Sequence, residues 1–194
     1  VPTVGANGTM YLSTGDGVYW LDPSDGTVLK TFAAPGTMSQ ISLVPDSLGD
    51  GSPGSGGMVF TSSEDLVWLD SSGELKWIVD AGDNASGGGL TVDGDGKVYL
   101  PQRNDGALLI FDLATKSQLY TFDDYPSPGN AQAGVSIAND GTLYWPVAAN
   151  FSRSDMLYAL KAIVPTPTVT LTPTRTLTPT PTRTRRFAVE RLYS

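Results

Sequence analysis

The 194-residue chain contains neither cysteine nor histidine. The first absence excludes disulfide staples, thiolate nucleophiles and Cys-ligated zinc; the second excludes Ser-His-Asp triads and His-ligated metal or haem. Charge is scarce too, at 16% of residues against roughly 25% in an average soluble domain. No apolar run approaches the ~20 residues of a membrane-spanning helix. The first residue is Val, so a processed chain or excised segment is expected, with any signal peptide already removed. These absences point away from catalysis, and the expectation at this level is a protein that is not an enzyme and uses no cofactor or metal.

Glycine (22) and proline (14) are plentiful, so turns and extended chain dominate and a helical bundle is excluded. The net charge of −8 is unevenly placed. Residues 1–164 carry 7 Lys and Arg against 19 Asp and Glu, which is −12. Residues 165–194 carry Arg175, Arg183, Arg185, Arg186 and Arg191 against Glu190, which is +4. An acidic body with a basic tail attracts copies of itself head to tail. Nucleic acid is not an expected partner for so acidic a body.

Short strand-like pairs recur along the body. Thr9–Leu12 precedes Val18–Asp22, Met58–Phe60 precedes Leu66–Asp70, Val98–Leu100 precedes Leu108–Asp112, and Leu143–Trp145 precedes Met156–Leu160. The anchors Met10, Met58, Val98 and Leu143 are spaced by 48, 40 and 45 residues, the period of one four-stranded propeller blade. Asn7-Gly8, Asp95-Gly96 and Asp140-Gly141 supply the positive φ of tight hairpins. Asp22-Pro23-Ser24-Asp25-Gly26 and Asp70-Ser71-Ser72-Gly73 divide third from fourth strands at Val28–Phe32 and Leu75–Val79, and Gln118–Phe122 is the equivalent fourth strand of the third repeat. This pattern resembles the quinoprotein-like (PQQ-like) β-propeller repeat over about residues 3–163. The resemblance implies the fold and little about function, because such blades serve dehydrogenases, assembly scaffolds and surface proteins alike. Quinoprotein dehydrogenases have about twice as many blades, so no quinone cofactor is expected. A β-sandwich also has regular short strands, but has no reason to repeat a Leu-Asp corner with a Gly turn at constant offset.

The expected fold class is therefore all-β: a β-propeller of about four blades, each a four-stranded antiparallel meander. The blades are placed at about 3–52, 53–89, 90–132 and 133–164, followed by an extended connector over 165–186 and a C-terminal strand over 187–194. From Thr166 to Thr184 every second residue is threonine: Thr166, Thr168, Thr170, Thr172, Thr174, Thr176, Thr178, Thr180, Thr182 and Thr184. Such sequence is ordinarily a disordered or O-glycosylated stalk, although a strict period of two also matches an extended edge strand. Beyond it, Phe187–Ser194 is strand-like and aligns by "RLYS" with "QLYT" at 118–121, which places Leu192 at the position of Leu29, Leu75 and Leu119.

The fourth repeat lacks an outer strand of its own before residue 165, so one edge stands open. The 23 steps from Val164 to Phe187 span about 70 Å when extended at ~3.1 Å each, and no Gly, Asn or Asp occurs after 164 to turn the chain back. The expectation is donor-strand addition to the next copy, with Arg183, Arg185, Arg186, Phe187, Val189, Leu192 and Tyr193 forming the assembly site and a head-to-tail homopolymer as the product.

Other candidate chemistry is weak. Asp93-Gly94-Asp95-Gly96 has two carboxylates at a calcium-loop offset but lacks the distal Glu of an EF-hand. Glu64-Asp65 and Asp123-Asp124 are paired carboxylates of the kind glycosidases use, with nothing to mark one as an acid. Asp46, Asp50 and the run 47–57 are expected to form a solvated loop between blades. Trp20, Trp68, Trp77 and Trp145 are expected in the core. Asn7, Asn84 and Asn150 stand in glycosylation sequons, so covalent glycans and a secreted or cell-surface location are expected. The functional expectation is an extracellular structural protein that assembles into filaments or a surface layer. The alternatives are a glycan- or protein-binding module on a Thr/Pro stalk, and a fragment of a larger propeller enzyme.

Overall fold

The computed structural model describes residues 2–34, 36, 40–52, 54–82, 89–102, 106–123, 134–147, 156–163 and 186–192. They form four antiparallel sheets of four strands, each in sequential order. The first blade comprises β1 (Thr3–Val4), β2 (Met10–Ser13), β3 (Gly17–Leu21) and β4 (Val28–Ala33); the second β5 (Ser42–Leu43), β6 (Met58–Ser62), β7 (Asp65–Leu69) and β8 (Leu75–Asp80). The third holds β9 (Thr91–Val92), β10 (Lys97–Pro101), β11 (Leu108–Asp112) and β12 (Ser117–Phe122). The fourth holds β13 (Ser136–Ile137), β14 (Leu143–Val147), β15 (Met156–Ile163) and β16 (Arg186–Leu192). Among the described residues the only helix is a short 3-10 turn at Asp46–Leu48. The fold is the all-β, four-blade array that the repeat implies.

Local chemistry dictates these meanders. Aromatic and β-branched residues fill the second and third strands, where a pleated surface buried on both faces favours them, and glycine supplies the corners. Gly57 is the tightest case against backbone: its φ is +78°, and a Cβ there would lie 2.1 Å from the Leu69 carbonyl oxygen. Each of the first three blades has a register shift between its third and fourth strands, at Trp20/Leu21, Trp68/Leu69 and Ile110/Phe111. The β15–β16 ladder runs from Leu157↔Leu192 to Ile163↔Arg186 without one. In the first three blades the shift lies beside the short connection to the fourth strand, whereas β15 and β16 are far apart in the sequence.

Three seams hold the array together. Tyr11, Val18 and Trp20 of the first blade pack on Met58, Phe60, Val67 and Leu69 of the second. The opposite face of the second blade, with Val59, Leu66 and Trp68, packs on Val98, Leu100, Leu109 and Phe111 of the third. Tyr99, Leu108, Ile110 and Phe122 then pack on Leu143, Trp145, Tyr158 and Leu160 of the fourth. Each such large apolar side chain contributes about 1.5–3 kcal/mol when fully buried. Trp20, Trp68 and Trp145 are buried, and Trp77 packs partly buried beside the second seam.

Two boundaries differ from the sequence reading. Residues 44–57 do not separate blades: β5 pairs with β6 on either side of them, so the loop is an insertion inside the second blade. It is folded back, with the Gly54 amide donating to Asp46 Oδ1 at 2.9 Å and the Trp68 indole donating to the Gly56 carbonyl at 2.9 Å. The second difference is the C-terminal strand, which pairs with β15 of its own blade rather than with another copy. Reach alone does not forbid return, because each doubling of a flexible loop costs only about 0.6 kcal/mol in closure entropy, and the blade offers an unpaired outer edge.

Candidate functional site

The first strands are only two residues long, and their sequences are Thr-Val, Ser-Leu, Thr-Val and Ser-Ile. Their hydroxyls bind the blades together. Thr3 Oγ1 donates to the Ile41 carbonyl at 3.1 Å, Ser42 Oγ to the Leu90 carbonyl at 2.7 Å, and Thr91 Oγ1 to the Val135 carbonyl at 2.6 Å. Each acceptor is the residue just before the next blade's first strand. The fourth blade has Ser136 in this place, paired opposite Tyr144 as Thr3 is opposite Tyr11. Ser136 is exposed.

The open ends of the array follow the same repeat. Leu157 occupies the position of Val18, Leu66 and Leu108, as the pairings Leu157↔Leu192, Val18↔Phe32, Leu66↔Val79 and Leu108↔Phe122 establish. The three interior residues are 0% exposed, whereas Leu157 is 43% exposed. At the other end Val4, opposite Met10, takes the position of Leu43, opposite Met58. Leu43 packs into the first seam, but Val4 is 59% exposed. Met10, Leu12, Tyr19 and Leu21 share the face of Val4 and are half-buried. Among the described residues no apolar cluster joins the fourth blade to the first.

The repeated Asp corners are structural. Asp22 Oδ1 accepts from the Ser24 amide and hydroxyl, Asp70 Oδ1 from Ser72 and the Glu74 amide, and Asp112 Oδ1 from the Ala114 and Thr115 amides. The Ser24 hydroxyl and amide hold the Asp22 carboxyl below the usual carboxylate range. Burial pushes Asp70 and Asp112 up, but the hydrogen bonds from Ser72 and Glu74, and from Lys97 and Thr115, outweigh it and leave both carboxyls lowered. Lys97 Nζ also pairs with Asp112 Oδ2 at 2.8 Å. The fourth blade has Lys161 at the corner position, paired instead with Asp140 at 2.8 Å. That ammonium holds Asp140 well below its ordinary range, and Asp140 in turn raises Lys161.

The sequence candidates are scattered over the array. Asp93 is committed to its turn, accepting from the Asp95 and Lys97 amides and from the Tyr99 hydroxyl at 2.9 Å. Glu64 and Asp65 sit at the β6–β7 hairpin. Asn7 is exposed, and its Oδ1 accepts from the Thr9 amide. Of the assembly residues, Arg186, Phe187, Val189 and Leu192 lie on β16, while Arg183, Arg185 and Tyr193 lie outside the described residues, as do Asn84, Asn150 and Thr166–Thr184.

Leu192 pairs at the position of Phe32, Val79 and Phe122, not that of Leu29, Leu75 or Leu119. The expected alignment of Leu192 with Leu29, Leu75 and Leu119 is therefore corrected. The seam hydroxyls were missed by sequence reasoning. A Ser/Thr-aliphatic dipeptide recurring six to sixteen residues ahead of each second strand was the available signal.

No family model matches the chain, and none of the curated proteins matches it. Solved structures do. A protein of unknown function from Bacteroides caccae is 13% identical with a TM-score of 0.53, covering 80% of this chain and 54% of its own. Streptogramin B lyase is 17% identical with a TM-score of 0.61, covering 81% and 49%. The calcium-binding protein regucalcin from Agrobacterium tumefaciens is 16% identical with a TM-score of 0.52, covering 79% and 54%. The likeness is one of fold: a β-propeller, of which this chain spans about half the length of each neighbour. The expectation that the chain is not an enzyme is corrected here. A lyase shares its architecture, and the carboxylates, lysines and tyrosines present can carry proton transfers without His or Cys. Among the described residues no helix is long and apolar enough to cross a membrane.

Proposed function

We propose that this chain is a self-assembling propeller protein of the cell exterior, whose working surfaces are the two end faces of the blade array. The observation that carries this reading is the exposure of Leu157 and Val4 at repeat positions that are otherwise packed into seams. Apolar positions built to one pattern and left uncovered at both ends mark an interaction surface. The sequons and the Thr-rich segment support an extracellular setting, and the Leu-Asp corners with their Gly turns support kinship with quinoprotein-like repeats.

Assembly is tested by sedimentation velocity across a hundredfold dilution. The weight-average coefficient is expected to rise with concentration and to persist in molar salt, because apolar burial is not screened. A coefficient independent of concentration would sink the reading. Loss of assembly in salt would move the contact to the basic tail and acidic body.

A second reading is favoured by the half-length match to a lyase: the array is one half of a propeller whose completed ring carries a ligand or catalytic site. Saturable binding of a small ligand by the assembled form alone would establish it.

A further inference from the structure

We infer that two copies of this chain close into one eight-blade ring, with the open face of each fourth blade seated on the open face of the other copy's first blade. This deepens the self-assembly reading and rests on it.

The contact is already present three times within the chain. Every interior seam joins the same two faces: one bears Tyr11, Val18 and Trp20 or their equivalents, the other Met58, Phe60 and Leu69 or theirs. The fourth blade keeps the first kind of face free, with Tyr144 and Leu157 exposed on it. The first blade keeps the second kind free, with Val4, Met10, Leu12, Tyr19 and Leu21. One molecule therefore carries both halves of a seam it cannot join to itself. Register is supplied by the hydroxyl series: Thr3 to Ile41, Ser42 to Leu90 and Thr91 to Val135. The next member is Ser136, and the equivalent acceptor is the carbonyl of the partner's Pro2.

Stoichiometry follows from length. About 80% of this chain matches 49–54% of each neighbouring propeller, so its four blades correspond to about half of such a ring. A head-to-tail contact that turns through half a circle closes with two copies. The second seam then forms intramolecularly, at an effective concentration in the millimolar range, which favours the closed pair over an open chain.

The test is light scattering of the full chain with two single variants, Val4→Asp and Leu157→Asp. Both sites are exposed in the monomer, so circular dichroism of each variant should match the parent. The parent is expected at about twice 20.4 kDa, and each variant at the single-chain mass, with dissociation constants raised by roughly a hundredfold or more. An equimolar mixture should regain a one-to-one complex, because each variant retains the face the other has lost. Larger, polydisperse parent species would overturn ring closure while leaving self-assembly standing. A parent of single-chain mass at every concentration would overturn both, and would assign the open faces to blades of another chain. If Leu157→Asp dimerises on its own, first blades pair with first blades and the ring is wrong.

Discussion

The third and fourth blades share one pattern and differ in what covers them. In β10, Val98, Tyr99, Leu100 and Pro101 are all buried, because a blade lies on each side. In β14, Leu143, Trp145 and Val147 are buried while Tyr144 and Pro146 are exposed, because a blade lies on one side only. The strands have similar apolar content, so exposure reports neighbours and not composition. That uncovered face is the one the proposed assembly would bury.

The largest effect expected from this comparison is a contrast at one repeat position. Leu66→Ala, in the second seam, should cost about 2–5 kcal/mol in urea unfolding. Leu157→Ala should stay within ~0.5 kcal/mol when measured at a dilution that keeps the chain monomeric. Equal losses would mean that the two ends are covered alike, and the comparison would break.

The seam hydroxyls give a smaller contrast. Thr91→Val leaves the Val135 carbonyl without its donor and should cost about 1–3 kcal/mol. Ser136→Ala should leave the stability of the monomer unchanged while weakening self-association. Chemical denaturation and sedimentation separate the two effects.

The three corner aspartates and the turn residue Asp140 sharpen the comparison least. Asp22, Asp70, Asp112 and Asp140 all have folded-state pKa values below the ordinary carboxylate value. The stability they add is therefore fully present above about pH 4 and lost as pH falls through the lowered values. The thermal midpoint should be flat from neutrality to about pH 5 and decline below pH 4. In Asp112→Asn the acid slope should be shallower, since Asp112 is the corner that also holds Lys97. An unchanged slope would assign acid sensitivity elsewhere.

Much of this architecture is legible in the chain itself. The Leu-Asp corners and the Asn-Gly and Asp-Gly turns mark the second, third and fourth strands because turn chemistry is local. The first strands are not legible in the same way. Thr3–Val4 and its equivalents are two residues long, and their hydroxyls act on carbonyls 38–48 residues away, so periodicity cannot reveal them. The return of Arg186–Leu192 to β15 was equally hidden, since it depends on an unpaired edge and not on any turn signal. The open faces were not legible, because the apolar residues of β14 look the same whether or not a blade covers them.

One measurement tests the central claim, that the array ends are the two halves of a single seam. The chain has no cysteine, so in a Pro2→Cys/Ser136→Cys double variant disulfides form only between introduced thiols, and the two single variants, which should stay monomeric, report any like-with-like pairing. A Thr91→Cys/Val135→Cys variant, at the equivalent interior seam, serves as control and should close within one chain. The account predicts that the end-face pair, oxidised gently, runs as a covalent dimer on a non-reducing gel and returns to monomer with reductant. A control that closes while the end-face pair remains monomeric with free thiols would contradict it.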